Sequence, residues 1–288
     1  MSAVTLAVLS ALLFGAMTVA LRLGLTRRPD VPLATLVTVG TAFLVVLVAA
    51  AAEVPGGGVH AGAAWPFVLA GVLSPGFGQL FVTLGIHEAG AARVSVVLGI
   101  APLVSVTIAV AVLGEPLQVA LALGAVLIVA GGLELARERN RPQHLRLIGL
   151  VYAFAAVVLF ATRDNLVRWL STGASAPPPS VAAAAALIGG ALVLGAVLGP
   201  RVRARLPVRE VAPFLGVGIL FGLGYVCLFE AYFRGNVTVV APLVATESLW
   251  AVAFSALVLR HTEVVGRRLV TGALLVVAGG ILIGATTH

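Results

Sequence analysis

Glu247 stands inside a long apolar run, thirteen residues from Arg234 on one side and thirteen from Arg260 on the other. At helical rise it lies roughly 20 Å from each. A carboxyl group that deep in hydrocarbon cannot stretch to water, and inserting it costs about 2.5–3.5 kcal/mol, so it asks for a function. The chemistry that suits it is proton uptake and release, or contact with a cationic substrate. Trp250, three residues on, shares its helix face and would stack on a planar or cationic ligand. The plainer reading is a protonated or arginine-paired glutamate that holds helices together.

Arg163 and Asp164 form a second candidate group. Counted from Arg146, Arg163 lies roughly 25 Å along its helix, near the far end, where a long side chain can snorkel to the interface. Neighbours in sequence point about 100° apart, so each of the two is expected to find a partner elsewhere. An interfacial or interhelical ion pair is the favoured reading for both, and for Glu230; contact of Arg163 with a substrate carboxylate is the alternative. His87-Glu88 reads as a solvated loop dipeptide rather than a catalytic pair.

Helix-breaking residues point to the same region. Ser74-Pro75-Gly76-Phe77-Gly78-Gln79 interrupts one apolar run, and Gly222-Leu223-Gly224-Tyr225 falls at the corresponding place in another. Backbone groups freed by such breaks are tolerated in a membrane only beside protein or a water-filled cavity. Pro75, Gly76, Gly78, Gly222 and Gly224 are therefore expected to line a cavity, with Gln79 and Tyr225 as hydrogen-bonding contacts and Pro102 and Pro242 shaping adjacent helices. Close helix packing through small residues is the alternative for the glycines, and the favoured one for Gly131, Gly132, Gly279 and Gly280.

The elements that must hold these residues are membrane helices. Of 288 residues, 60% are apolar and 10% charged, too few charges to clothe a soluble surface. A span needs about 20 apolar residues. Ten runs qualify, near 4–25, 32–52, 63–86, 93–113, 117–136, 146–169, 180–199, 211–233, 236–259 and 265–285. None alternates as a membrane β-strand does. The first has its arginines, Arg22, Arg27 and Arg28, after the apolar stretch, the reverse of a cleaved signal, and is expected to remain as a span.

The two halves repeat. Leu13-Phe14 and Arg22 recur as Leu159-Phe160 and Arg168, 146 residues on. Glu115, Gly124 and Val129-Ala130-Gly131-Gly132 recur 148 residues on as Glu263, Gly272 and Val277-Ala278-Gly279-Gly280. Aligned back from the two glutamates, Trp250 stands where Pro102 does. Five spans is an odd number, so the second copy is expected upside down relative to the first, as in many secondary transporters. The expected fold is an all-α membrane protein of ten transmembrane helices in two inverted five-helix repeats, 1–139 and 140–288.

All 18 basic residues are arginine, and the net charge is +7. Every arginine but Arg163, Arg168 and Arg234 flanks an odd-numbered loop, which by the positive-inside rule places odd loops in the cytoplasm and both termini outside. The cluster Arg201, Arg203, Arg205 and Arg209 fits topology and lipid headgroups better than a ligand. Short clusters between apolar runs are not a nucleic-acid footprint. Absence of lysine beside abundant alanine suggests a GC-rich bacterial genome. With one cysteine, Cys227, no intramolecular disulfide or Cys metal site forms, and there is no GxxxxGK[ST] loop for ATP and no HExxH motif. No cofactor, metal or enzyme activity is expected. Trp65 and Trp169 fit interfacial anchors.

Ten spans in two repeats, the stretch VSVVLGIAPLVSVTIAVAVLGEPL from Val94, its relative VTVVAPLVATESLWAVAFSALVLRHTE from Val237, and the VAGG helices resemble the EamA-like branch of the drug/metabolite transporter superfamily. The resemblance covers nearly the whole chain. It implies a carrier for small metabolites that works without ATP by alternating access; the family does not name a substrate. The first span, with Phe14, Gly15, Ala16, Met17 and Thr18 near its middle, lacks the membrane glutamate that small multidrug exporters of the superfamily use. The expectation is thus a multi-pass inner-membrane exporter of a small polar or amphipathic metabolite, with proton coupling through Glu247, in contact with membrane lipid. A facilitative uniporter, or a non-transporting membrane sensor or enzyme, is the rival. Nothing in the pattern chooses between a monomer and a homodimer.

Overall fold

The computed structural model describes residues 1–53, 61–113, 147–173, 176–202, 208–259 and 266–285, with isolated positions between 123 and 134. The described residues are helical almost throughout. Helix α1 spans Ala3–Arg27 and α2 Val31–Glu53; α3, Ala61–Gly71, continues through a π-helical stretch, Val72–Phe77, into α4, Gly78–Ala89. Then come α5, Ala91–Leu98, and α6, Ala101–Leu113. The second half has α7, Ile148–Ser171, α8, Pro179–Leu198, and α9, Val208–Arg234. It ends with α10, Val237–Val244, α11, Glu247–Val258, and α12, Arg267–Ala285.

Local chemistry sets several of these ends. The Ser2 hydroxyl accepts from the Thr5 amide at 3.2 Å, and an Asp30 carboxylate oxygen accepts from the Leu33 amide at 3.0 Å, each filling an orphan donor of a first turn. Gly90, at φ 89°, makes the corner between α4 and α5, in the region of backbone space that favours glycine.

Seven helical segments are long and apolar enough to cross a membrane: Ala3–Arg27, Val31–Glu53, Gly62–Ala89, Ile148–Ser171, Pro179–Arg201, Arg209–Arg234 and Val239–Val258. Seven of the ten expected spans correspond to these. The expected fourth span is the broken pair α5 and α6, and the tenth corresponds to α12. Most of the fifth span, the boundary at 139/140, Gly132, Glu115 and Glu263 lie outside the described residues. Large apolar side chains stand outward on these helices, among them Leu44, Val48, Leu192 and Leu257, so the outer surface is built for lipid. Trp65 and Trp169 are also exposed.

The halves repeat in three dimensions as well as in sequence. Helix α1 packs on α9 and α11, and its counterpart α7 packs on α4 and α6. Arg22 Nη1 donates to the carbonyl of Ile86 at 3.0 Å, and Arg168 Nη1 donates to the carbonyl of Tyr232 at 3.1 Å. Both residues of the second bond lie 146 positions beyond those of the first. Likewise α5 ends at Leu98 and α10 at Val244, 146 apart, and each next helix starts three residues later. A methyl group added at Gly131 would lie 2.6 Å from the Gly272 carbonyl oxygen, and one added at Gly279 2.5 Å from that of Gly124, the same contact 148 residues on.

This register corrects one alignment. With α5 and α6 matching α10 and α11, Pro102 corresponds to Ser248, and Trp250 to Val104 rather than to Pro102. The shift from 146 to 148 falls after these helices.

Candidate functional site

A central cavity opens where the two halves meet. Helix α1 lines it with Phe14, Met17 and Thr18, α4 with Gln79 and Val82, and α7 with Phe160, Arg163 and Asp164. From α9 come Phe221, Tyr225, Leu228 and Tyr232, and Glu247 enters from α11. Water-sized molecules can place their centres over about 60 Å³ of it, against roughly 10–15 Å³ needed to hold one, so in this conformation it has room for a few waters.

Its walls obey the repeat. Phe14 and its counterpart Phe160 both line it, and Met17, Thr18, Gln79 and Ala101 stand where the second half puts Arg163, Asp164, Tyr225 and Glu247, each 146 residues on. The ionisable chemistry comes from the second half; the first supplies a thioether, a hydroxyl, an amide and a methyl group.

Arg163 is buried, at 4% exposure, not snorkelling to an interface as expected from its distance along the helix. It also pairs with its sequence neighbour after all: Nε lies 3.0 Å from Oδ1 of Asp164. The Cβ directions do diverge, but the bond uses the nitrogen nearest the stem. That leaves the guanidinium carbon 5.8 Å from the centre of the Phe160 ring and 5.3 Å from that of Tyr225, within cation–π range.

Tyr225 links the halves. Its hydroxyl donates to the carbonyl of Ser74 at 2.9 Å. Ser74, at φ −154° and ψ 124°, is the non-helical residue where the third span breaks, before a cis Pro75. The break in the third span is thus where the sequence puts it, and its freed carbonyl is satisfied by the other repeat. Gln79, one turn on, is 1% exposed, and its Nε2 has no hydrogen-bond partner among the described residues.

Glu247 begins α11, directly after the bend at Ala245 and Thr246 that ends α10. A carboxyl group in a first helical turn lies near the positive end of the helix, although here the amides of Ser248, Leu249 and Trp250 already donate to the carbonyls of Ala245 and Thr246. Its side chain has no hydrogen bond or ion pair to another described residue.

Other expected site residues lie elsewhere. Trp250 does not reach the cavity: its Cβ sits where a Gly15 methyl would be, 2.7 Å away, its ring stacks on Phe254 at 6.1 Å, and it is 36% exposed. The eighth span is not broken at Gly222-Leu223-Gly224-Tyr225, for α9 runs through as one helix. Gly222 packs against Val45 and Ala42 of α2. Pro75 and Gly76 pack beside Gly190 of α8, and a methyl group added at Gly280 of α12 would lie 3.7 Å from both Pro102 and Pro242, so the four pack helices together rather than line the cavity. Gly78 and Gly224 act one step removed. A methyl group at Gly78 would lie 2.6 Å from the Phe160 ring, and one at Gly224 2.7 Å from the Phe14 ring, so each glycine seats the other half's cavity aromatic. Glu230 pairs with Arg234, one turn away. His87 and Glu88 are the last turn of α4 rather than a loop.

The sequence reading missed Phe14, Phe160, Phe221 and Tyr232 as wall residues, and the breaks after Leu98 and Val244. Hydropathy stays high through the first break, where the available signal was Gly99 followed by Pro102, a helix end followed by a proline suited to a first turn; at the second, Thr246, Glu247 and Ser248 lower it.

A family model described as the EamA-like transporter family matches residues 1–134 and 147–285. No curated protein matches the chain. A solved crystal structure, titled only as that of a protein, shares 21% identity over 99% of this chain and 96% of its own, with a TM-score of 0.70. At that identity the likeness establishes the fold.

Proposed function

The chain belongs to the EamA-like transporter family, a family of multi-pass membrane transporters of small molecules, and from that premise we propose a secondary transporter that exports a small metabolite by alternating access, without ATP. The two copies act as inverted five-helix repeats, ten spans in all, in the inner membrane of a bacterium, and rock about the central cavity. Gln79, Arg163, Tyr225 and Glu247 contact the substrate, and Glu247 couples transport to protons.

The observation that carries this reading is Glu247 itself. It is a carboxyl without a partner among the described residues, at the start of a broken helix, facing a cavity at the junction of two repeats. Broken helices at such a junction are where secondary transporters bind substrate and coupling ion, and an ionisable group inside a membrane marks that path.

Proteoliposomes loaded with radiolabelled candidate metabolites test it. Saturable flux that accelerates under an imposed pH gradient is expected of the wild type. Glu247→Gln should retain at most flux that ignores the gradient. Wild-type flux indifferent to the gradient would make the protein a uniporter, and no saturable flux would remove the transport reading.

A further inference from the structure

Two arginines repeat at opposite ends of the central cavity. Arg22 lies four residues past Thr18 on α1, and Arg168 four residues past Asp164 on α7, so each stands one turn beyond a wall residue and on the same helix face. Arg22 Nη1 donates to the carbonyls of Ile86 and His87, both at 3.0 Å, in the last turn of α4. Arg168 Nη1 donates to the carbonyl of Tyr232 at 3.1 Å, in the last turn of α9. Its Nη2 donates at 2.9 Å to Oδ1 of Asn236, the residue before α10. Last-turn carbonyls lie at the negative end of their helix, where a guanidinium is favoured.

Which helices these bonds join gives them their meaning. Helix α1 lies against α9 and α11, and α9 against α2; α7 lies against α4 and α6, and α8 against α3. Each group draws helices from both halves, and the two groups meet along α2 and α8, which are each other's counterparts. Arg22 therefore reaches from the first group to the second, and Arg168 from the second back to the first. A cap within one group would be kept however the groups moved. A cap between them has to break when they part at its own end of the cavity.

Resting on the transport reading, we infer that Arg22 and Arg168 are the latches of the two mouths, each holding one end of the cavity shut. Both are fastened in this structure, and the cavity between them has room for only a few waters. Rocking that opens one face releases its arginine and leaves the other fastened. The freed guanidinium and the carbonyls it leaves meet the water entering that mouth, so bonds to water replace the lost ones and the net cost stays modest. That suits a fastening made and broken in every cycle. By the arginine distribution Arg22 closes the cytoplasmic end and Arg168 the outer end. The outer latch also grips a side chain, Asn236, where the first half has Gly90, 146 residues earlier, so it can be loosened without touching its arginine.

Labelling of a cavity cysteine tests the inference. Met17→Cys in a Cys227→Ser background puts a single thiol on the cavity wall, where a charged methanethiosulfonate reagent, too large for the closed cavity, reacts only after a mouth opens. Rates are read from outside in intact cells and from the cytoplasmic side in inverted vesicles. Arg168→Leu should speed labelling from outside about tenfold and not from the cytoplasmic side, and Arg22→Leu should do the reverse. Asn236→Ala, which leaves Arg168 in place, should speed outside labelling severalfold, a check that does not depend on how well the arginine variants fold. The inference is overturned if both arginine variants act from the same face, if either speeds labelling from both faces alike, or if none of the three substitutions moves a rate. Flux in proteoliposomes separates the two levels. Labelling as described in a protein with no saturable flux would sink the transport reading and keep the latches, whereas saturable flux with labelling indifferent to all three substitutions would do the reverse.

Discussion

Arg163 and Asp164 hold each other's charge while buried from solvent, so the two are tied in energy as well as in space. Removing one partner strands the other, at a cost of about 3–5 kcal/mol for a buried pair. The first repeat shows what replaces both, since Met17 and Thr18 occupy the equivalent positions. Arg163→Met and Asp164→Thr should each lower the melting temperature sharply, and the double variant should recover most of the loss while no longer binding substrate. A melting temperature for the double variant below that of both single ones would contradict the pairing. Tyr225→Phe removes the donor to the Ser74 carbonyl and should cost about 1 kcal/mol, measurable as a modest fall in thermal stability. Ser74→Ala, which keeps that carbonyl, should leave it unchanged.

At the scale of helices, the reciprocal seating of Phe160 by Gly78 and Phe14 by Gly224 predicts matched effects. Gly78→Val and Gly224→Val should each destabilise by about 1–3 kcal/mol through overpacking and push a ring into the cavity. Gly40→Ala and Gly216→Ala, where an added methyl meets nothing within 4 Å, should be neutral or slightly stabilising. Thermal melts of the four variants decide it, and equal losses at all four sites would remove the seating argument. The same helices show what could be read in the sequence. Long apolar runs gave the helices, and Pro75 gave the third-span break, because a missing amide and a fixed φ leave a signature in any sequence. The glycine pair at 222 and 224 carried the opposite meaning, since glycine in a membrane helix serves close packing as readily as a break. The bend before Ala101 has no polar signature, whereas Thr246, Glu247 and Ser248 at the second bend read as a site inside a continuous span. Trp250 was misplaced for a related reason: three-residue spacing fixes a shared face only along one unbroken helix, and cannot say whether the neighbouring helix comes close enough to occupy it. Gly15 of α1 does.

For the molecule as a whole, the arginine distribution and the odd number of spans per repeat predict that equivalent corners face opposite sides of the membrane. In a Cys227→Ser background, Asn236→Cys at the corner between α9 and α10 should react with an impermeant maleimide in intact cells. Glu88→Cys, beside the matching corner between α4 and α5, should react only after permeabilisation. Labelling of both from one side would refute the inverted arrangement. The repeat itself was legible from a handful of matched residues. Which half carries the charge was not, because Met17, Thr18 and Ala101 acquire meaning only when the fold sets them opposite Arg163, Asp164 and Glu247. Contacts between the halves that recur with the partners exchanged, such as Gly78 on Phe160 and Gly224 on Phe14, are those that two separate copies of one half would make across a two-fold axis. Identical copies would have to place two glutamates at the axis wherever they placed one, and two arginines wherever they placed one. Joined in a single chain, the halves are released from that rule: one can be loaded with charge while the other stays neutral, and a polar molecule meets a cavity with distinguishable ends.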